Sequence, residues 1–187
     1  EAFTKEMKRL SAYINASPVI IAEKAGDKLQ NNVVYSRFDI YTLNLNTFKN
    51  CVENKMPFVR RDHAGLTATI RGDKLKERIE HRDISLGSLS KRLGVSKKMI
   101  QKYESGARIT INKAFKLYDL MGHSVFDKVE VFSAKQELEH DSKSDVAKKY
   151  TSLGFEAAET RKTPFNVIAK KEKELILTDV GDKPNPQ

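Results

Sequence analysis

Cysteine is almost absent from this sequence and tryptophan is missing: one Cys, at position 51, in 187 residues. A lone cysteine excludes a disulfide framework and suits a reducing compartment. It lies among polar residues in a helical pattern and reads as a small core side chain. The four histidines (His63, His81, His123 and His140) are too scattered to supply metal ligands with it. Each reads as a surface or capping residue. No apolar run approaches the roughly 20 residues that a membrane-spanning helix needs. No basic-then-apolar secretory signal is visible, and the expected location is the cytoplasm. Glycine-rich phosphate loops are missing too, so no metal and no cofactor is expected. The chain starts at Glu1 rather than Met, which reads as a fragment or a processed product.

What is present is positive charge: 34 Lys and Arg against 25 Asp and Glu, a net +9. It is concentrated. Residues 71–132 hold 14 basic and 8 acidic side chains, while residues 133–187 balance at 10 and 10. A basic central third points to a polyanionic partner, if the charge gathers on one face of one motif. A solvated helical surface is the plain alternative.

The periodicity outlines an α+β chain. A helix is predicted over 3–14 and strand-like runs over 18–22 and 33–38. Asn46 is the expected cap of a short helix running to Val52, and a hairpin turns about 62–65. From Gly72 to about Phe132 the spacing is helical almost throughout. A polar linker (134–145) follows, then a helix over 146–153, three strands over 155–160, 165–170 and 175–178, and a tail (181–187). The expected organisation is an N-terminal α/β segment (1–71), a central all-α five-helix domain (72–133) and a C-terminal αβββ segment (146–180).

The central domain contains the informative stretch, residues 84–106, ISLGSLSKRLGVSKKMIQKYESG. Ser85 can cap a helix whose Leu86, Leu89 and Leu93 share a face. Gly94 suits the left-handed residue that ends it. Val95 plugs the turn, and Ser96 can cap a second helix from Lys97 to about Tyr103. On a wheel of about 100° per residue, Lys97, Gln101, Lys98 and Lys102 share one face. Met99, Ile100 and Tyr103 lie opposite. Such a helix packs by one side and offers cationic, hydrogen-bonding groups on the other, as a major-groove reader must.

The segment resembles the helix-turn-helix of the lambda-repressor (Cro-like) family, with Leu89, Leu93, Gly94, Val95, Ser96, Ile100, Tyr103, Glu104 and Gly106 in register. Leu75–Arg82 corresponds to its first helix. Ile111–Met121 corresponds to the fourth, with Ile111, Ala114, Phe115 and Tyr118 facing inward, and Val125–Phe132 to a fifth. The family's first-helix arginine, which pairs with the glutamate at 104, falls at Ile79, beside Arg78. The order of the flanking runs is similar to that of archaeal helix-turn-helix transcriptional regulators, which tend to be longer at the N-terminus. The resemblance implies a sequence-specific regulator that reads double-stranded promoter DNA, expected as a homodimer, with flanking α/β segments that dimerise or contact the basal transcription machinery. It implies base contacts from Lys97, Lys98, Gln101 and Lys102. Phosphate contacts would come from Ser85, Ser96, Arg108, Asn112 and Lys113. The alternative is a multiprotein-bridging coactivator that uses the same fold for protein contacts.

Enzyme activity is not expected. Residues 165–170 (FNVIAK) suggest a restriction-endonuclease-like core, but Asn166 stands where such an enzyme needs an Asp, and the next strand has no carboxylate pair to hold a divalent metal. Asp39 with Glu53-Asn54-Lys55 has suitable spacing, yet Glu53 belongs to a helical pattern that stops before Pro57.

Overall fold

The computed structural model describes residues 2–133, 136–138 and 143–181. Half of the expected linker, including His140, and all but the first residue of the tail lie outside the described residues. The chain forms two compact units, one of residues 19–131 and one of residues 1–18 with 132–187.

The larger unit is built on a six-stranded mixed sheet, ordered β1-β5-β4-β6-β7-β8. Its strands are β1 (Val19–Ile21), β4 (Val33–Arg37), β5 (Ile40–Leu43), β6 (Val59–Asp62), β7 (Gly65–Thr69) and β8 (Arg108–Thr110). A minor hairpin, β2 (Lys24–Ala25) with β3 (Asp27–Lys28), turns on Gly26. β4 and β5 are antiparallel, joined by a turn in which Phe38 and Asp39 both take positive φ, the signature of the tight turns that match strand twist. β5 also pairs in parallel with β1, and β4 with β6. The strand-like run read as ending at Phe38 thus continues into a second strand, Ile40–Leu43, that the sequence reading left unassigned.

Helix α2 (Leu45–Val52) covers one end of the sheet, and its Cys51 is buried with Val34 and Leu43. Its cap is Asn44, not the expected Asn46: the Asn44 carboxamide oxygen accepts from Thr47 N–H at 2.8 Å. The same side chain donates to the Leu29 carbonyl and to Asn31 Oδ1. Asn44 follows the fully buried Leu43, so the core places it and not its exposed neighbour at the helix start.

Helices α3 (Gly72–His81), α4 (Leu86–Leu93), α5 (Lys97–Glu104) and α6 (Ile111–Met121) enclose a second core containing Leu75, Leu89, Leu93, Ile100, Leu117 and Met121. This region is neither all-α nor five-helical. β8 interrupts it, pairing antiparallel with β7 so that Ile109 opposes Ala68. Where a fifth helix was expected, a 3-10 turn (His123–Val125) leads into extended chain. There Phe126 bridges Ile70, Asp127 N–H donates to Thr69 O, and Val129 N–H donates to Pro57 O. With those partners supplied, the backbone has no need of helical bonds; Val125 is buried from the 3-10 turn, Phe126 from extended chain and Val131 from the turn that follows.

α6 turns only part of its expected face inward. Of the four residues expected there, Ala114 is buried, together with Leu117 and Met121, and Ile111 is half-buried, while Phe115 is 58% and Tyr118 41% exposed. Both stripes have helical spacing, and the smaller one fits the close approach of α4 and α6.

In the other unit, α1 (Ala2–Tyr13) and α7 (Asp145–Ser152) pack with an antiparallel sheet ordered β11-β10-β9, with β9 Glu156–Glu159, β10 Val167–Lys171 and β11 Glu174–Thr178. Tyr13 of α1 clusters with Ala158 and Ile168, and Ala147 of α7 with Ala157, Val167 and Ala169. These residues alternate along β9 and β10, so the two helices cover opposite faces of the sheet. The αβββ order predicted for this segment matches these elements.

Candidate nucleic-acid interface

The local chemistry of the α4–α5 corner follows the sequence closely. Ser85 and Ser96 have extended backbones, and their hydroxyl oxygens accept from Ser88 N–H (3.1 Å) and Met99 N–H (3.2 Å). Gly94 ends α4 at φ 65°, where a side chain would be strained. Val95 packs on the core and Ser90 is nearly buried, its hydroxyl donating to the Gly87 carbonyl.

α5 is fixed from below by Ile100 and Tyr103, 0% and 3% exposed. Burial pushes the Tyr103 phenol upward from its ordinary pKa. Above, Lys97, Lys98, Gln101 and Lys102 are all exposed. Neither the three lysines nor Gln101 has a side-chain partner among the described residues, apart from the aliphatic end of Lys97 lying over Gly87. Met99, expected on the packed face, is 36% exposed at its margin. A shallow groove of about 440 Å³ runs beside the helix, lined by Lys98, Gln101, Lys102 and Ser105–Ala107.

The other predicted contacts fall in two groups. Asn112 is exposed and Lys113 half-buried in the first turn of α6. Arg108 is engaged: its Nη2 donates to Asp62 Oδ2 at 2.7 Å, and Arg60 stands 3.5 Å from the same oxygen. The hydrogen bond from Arg108 holds the Asp62 carboxyl below its usual pKa, with burial opposing. Ile79 is buried as a core residue, and Arg78 donates to Ser124 Oγ at 3.4 Å. Glu104 has no ion-pair partner among the described residues, so no Arg–Glu pair forms here.

One contact had no sequence signal. A Cβ on Gly72 would stand 2.0 Å from the Glu104 carbonyl oxygen, so the foot of α5 rests directly on the start of α3. Only the folded backbone reveals that approach.

Residues 75–122 match the family described as Helix-turn-helix. This segment is a helix-turn-helix domain of the lambda-repressor type. Several archaeal proteins are similar to the chain. One from Methanoculleus marisnigri, named "Putative HTH-type transcriptional regulatory protein", is 33% identical over 95% of this chain and 60% of its own length. Relatives of the same description from Methanococcoides burtonii and Pyrococcus furiosus are 31% and 29% identical, over 99% and 100% of this chain and 62% and 63% of theirs. The chain thus spans about three fifths of the length of these curated relatives. No solved structure matches it.

Besides the helix-turn-helix domain, residues 1–57 match the PD-(D/E)XK superfamily domain, a different stretch from the FNVIAK segment. Within it, Asp39 sits in the β4–β5 turn and Glu53 caps the end of α2. Lys55 Nζ donates to Glu53 Oε2 at 2.8 Å. β4 (VVYSR) and β5 (IYTL) carry no carboxylate. Among the described residues no group of three or more acidic, His or Cys side chains could hold a metal, and no helix is long and apolar enough to cross a membrane.

Proposed function

We propose that this protein is a sequence-specific transcriptional regulator that inserts α5 into the DNA major groove. One observation carries the reading: Lys97, Lys98, Gln101 and Lys102 share a solvent face and are committed to no partner, while Ile100 and Tyr103 anchor the opposite face. Lysine ammonium groups donate to guanine O6 and N7, and a Gln amide can pair with adenine. Ser85 and Ser96 stand at helix starts, where remaining backbone N–H groups suit phosphates. Asn112 and Lys113 add backbone contacts, and Arg108 divides between Asp62 and the phosphate. The reading module is residues 72–133.

Three or four base contacts at about 1–3 kcal/mol each give limited discrimination. A homodimer on half-sites about 34–36 Å apart supplies the rest. The absence of carboxylates from β4 and β5 supports a binding role over phosphodiester cleavage, so supercoiled DNA incubated with the protein and magnesium or manganese should stay intact.

Selection of bound sequences from random duplexes at physiological salt tests the reading. An enriched, G-containing motif supports it. Lys97→Ala and Lys98→Ala should each lower operator affinity by roughly 1–3 kcal/mol and relax one base position. A flat selection, or an operator-to-scrambled ratio untouched by both variants, favours the bridging coactivator instead.

A further inference from the structure

A large cavity of the larger unit lies away from α5. It is a groove of about 920 Å³ between α6 and the loops that precede β4 and β6, within the size range of about 300–1,000 Å³ typical of small-ligand sites. One wall is aromatic. Phe115 and Tyr118 project from α6, largely exposed, although Ala114, Leu117 and Met121 already close the core on the other side. Phe58 lies 6.1 Å from Tyr118 at 12°, and 5.0 Å from Phe126 at 19°. These near-parallel rings form a stack that a planar guest could extend.

Amides line the groove as well. Asn50 Nδ2 donates to Asn32 Oδ1 at 3.0 Å, which orients both groups and leaves Asn50 Oδ1 to accept and Asn32 Nδ2 to donate. Asn54, in a left-handed turn at φ 63°, has no side-chain partner among the described residues. Side-by-side donors and acceptors of this kind match the edge of a nucleobase. Of the two lysines lining the groove, Lys55 is tied to Glu53, whereas Lys128 is exposed and has no ion pair among the described residues. The groove therefore keeps one uncompensated positive charge.

We infer that this groove binds a free mononucleotide, its base stacked on Phe115 and Tyr118, its edge held by Asn32, Asn50 and Asn54, and its phosphate at Lys128. A single lysine suits one phosphate and not the repeated charges of a strand. The inference stands independently of DNA reading by α5.

Fluorescence anisotropy of the intact chain with ribose-labelled AMP, competed by AMP, GMP, CMP, UMP, adenosine, ribose 5-phosphate and a short single-stranded oligonucleotide, tests it. Saturable one-to-one binding of at least one mononucleotide is expected, with ribose 5-phosphate a poor competitor. Phe115→Ala should weaken binding roughly tenfold or more, as loss of a stacking partner does. Lys128→Gln should abolish the advantage of AMP over adenosine. Unchanged melting curves would show that both variants fold. Failure of all four mononucleotides at millimolar concentration overturns the proposal. So does an oligonucleotide that outcompetes them, or light scattering in which Phe115→Ala turns a dimer into a monomer, since the groove would then be buried between copies.

Discussion

At the scale of single residues, one site holds α5 and another holds Arg108, in the strand that follows it. Gly72 leaves no room for a methyl group beside the Glu104 carbonyl. Gly72→Ala should therefore lower the melting temperature sharply and displace α5. Gly87→Ala should be tolerated, because the nearest atom is the flexible end of Lys97, at 3.3 Å. Thermal melts of the two variants, side by side, check the contrast. Asp62 is the second site. Its carboxyl titrates below its ordinary 3.8, chiefly because Arg108 donates to it. A lowered folded-state pKa contributes stability that is fully present above the unfolded value and lost as pH falls through the folded one. Melts from about pH 6 down to pH 2 should show an acid-labile component that Asp62→Asn removes. Asp62→Ala also frees Arg108 and deletes a nearby negative charge. Binding to all DNA sequences should then tighten, and the salt slope should steepen by about one.

At the scale of elements, α5 is only eight residues long, so its end groups matter. Ser96→Ala removes the hydroxyl that accepts from Met99 N–H. It should cost about 0.5–2 kcal/mol, measured by denaturant titration. This corner was legible in the sequence because its determinants are local: two serine caps, one left-handed glycine and leucines spaced for one face. α6 was not. Ile111, Phe115 and Tyr118 form one apolar stripe and Ala114, Leu117 and Met121 another, and periodicity cannot say which is buried when both qualify. The larger rings suggest a core; the structure turns them outward and packs the smaller stripe. β8 was illegible for another reason. Three residues, Arg-Ile-Thr, are too short to show alternation, and its partner β7 lies about forty residues earlier in the chain. The candidate site divides in the same way: the cationic face of α5 follows from spacing alone, whereas the capture of Arg108 by Asp62 depends on a fold that brings distant segments together.

At the scale of the molecule, the chain carries two family matches, over residues 1–57 and 75–122, and the second has no seam with the residues before it. The matched helix-turn-helix stretch begins at residue 75, yet its core includes Ala68 and Ile70, with Phe58 packed against it and Phe126 within it. Strand β8, on the way from α5 to α6, finds its hydrogen-bond partners in β7. A fragment of residues 19–131 should accordingly melt as one cooperative body, while residues 72–132 alone should melt broadly or not fold, as circular dichroism would show. The consequence reaches protein engineering. Transplanting this helix-turn-helix by its family boundaries would sever a β-ladder and take from Ile109 its cross-strand partner Ala68. A transferable reading head has to take the β6–β7 hairpin with it.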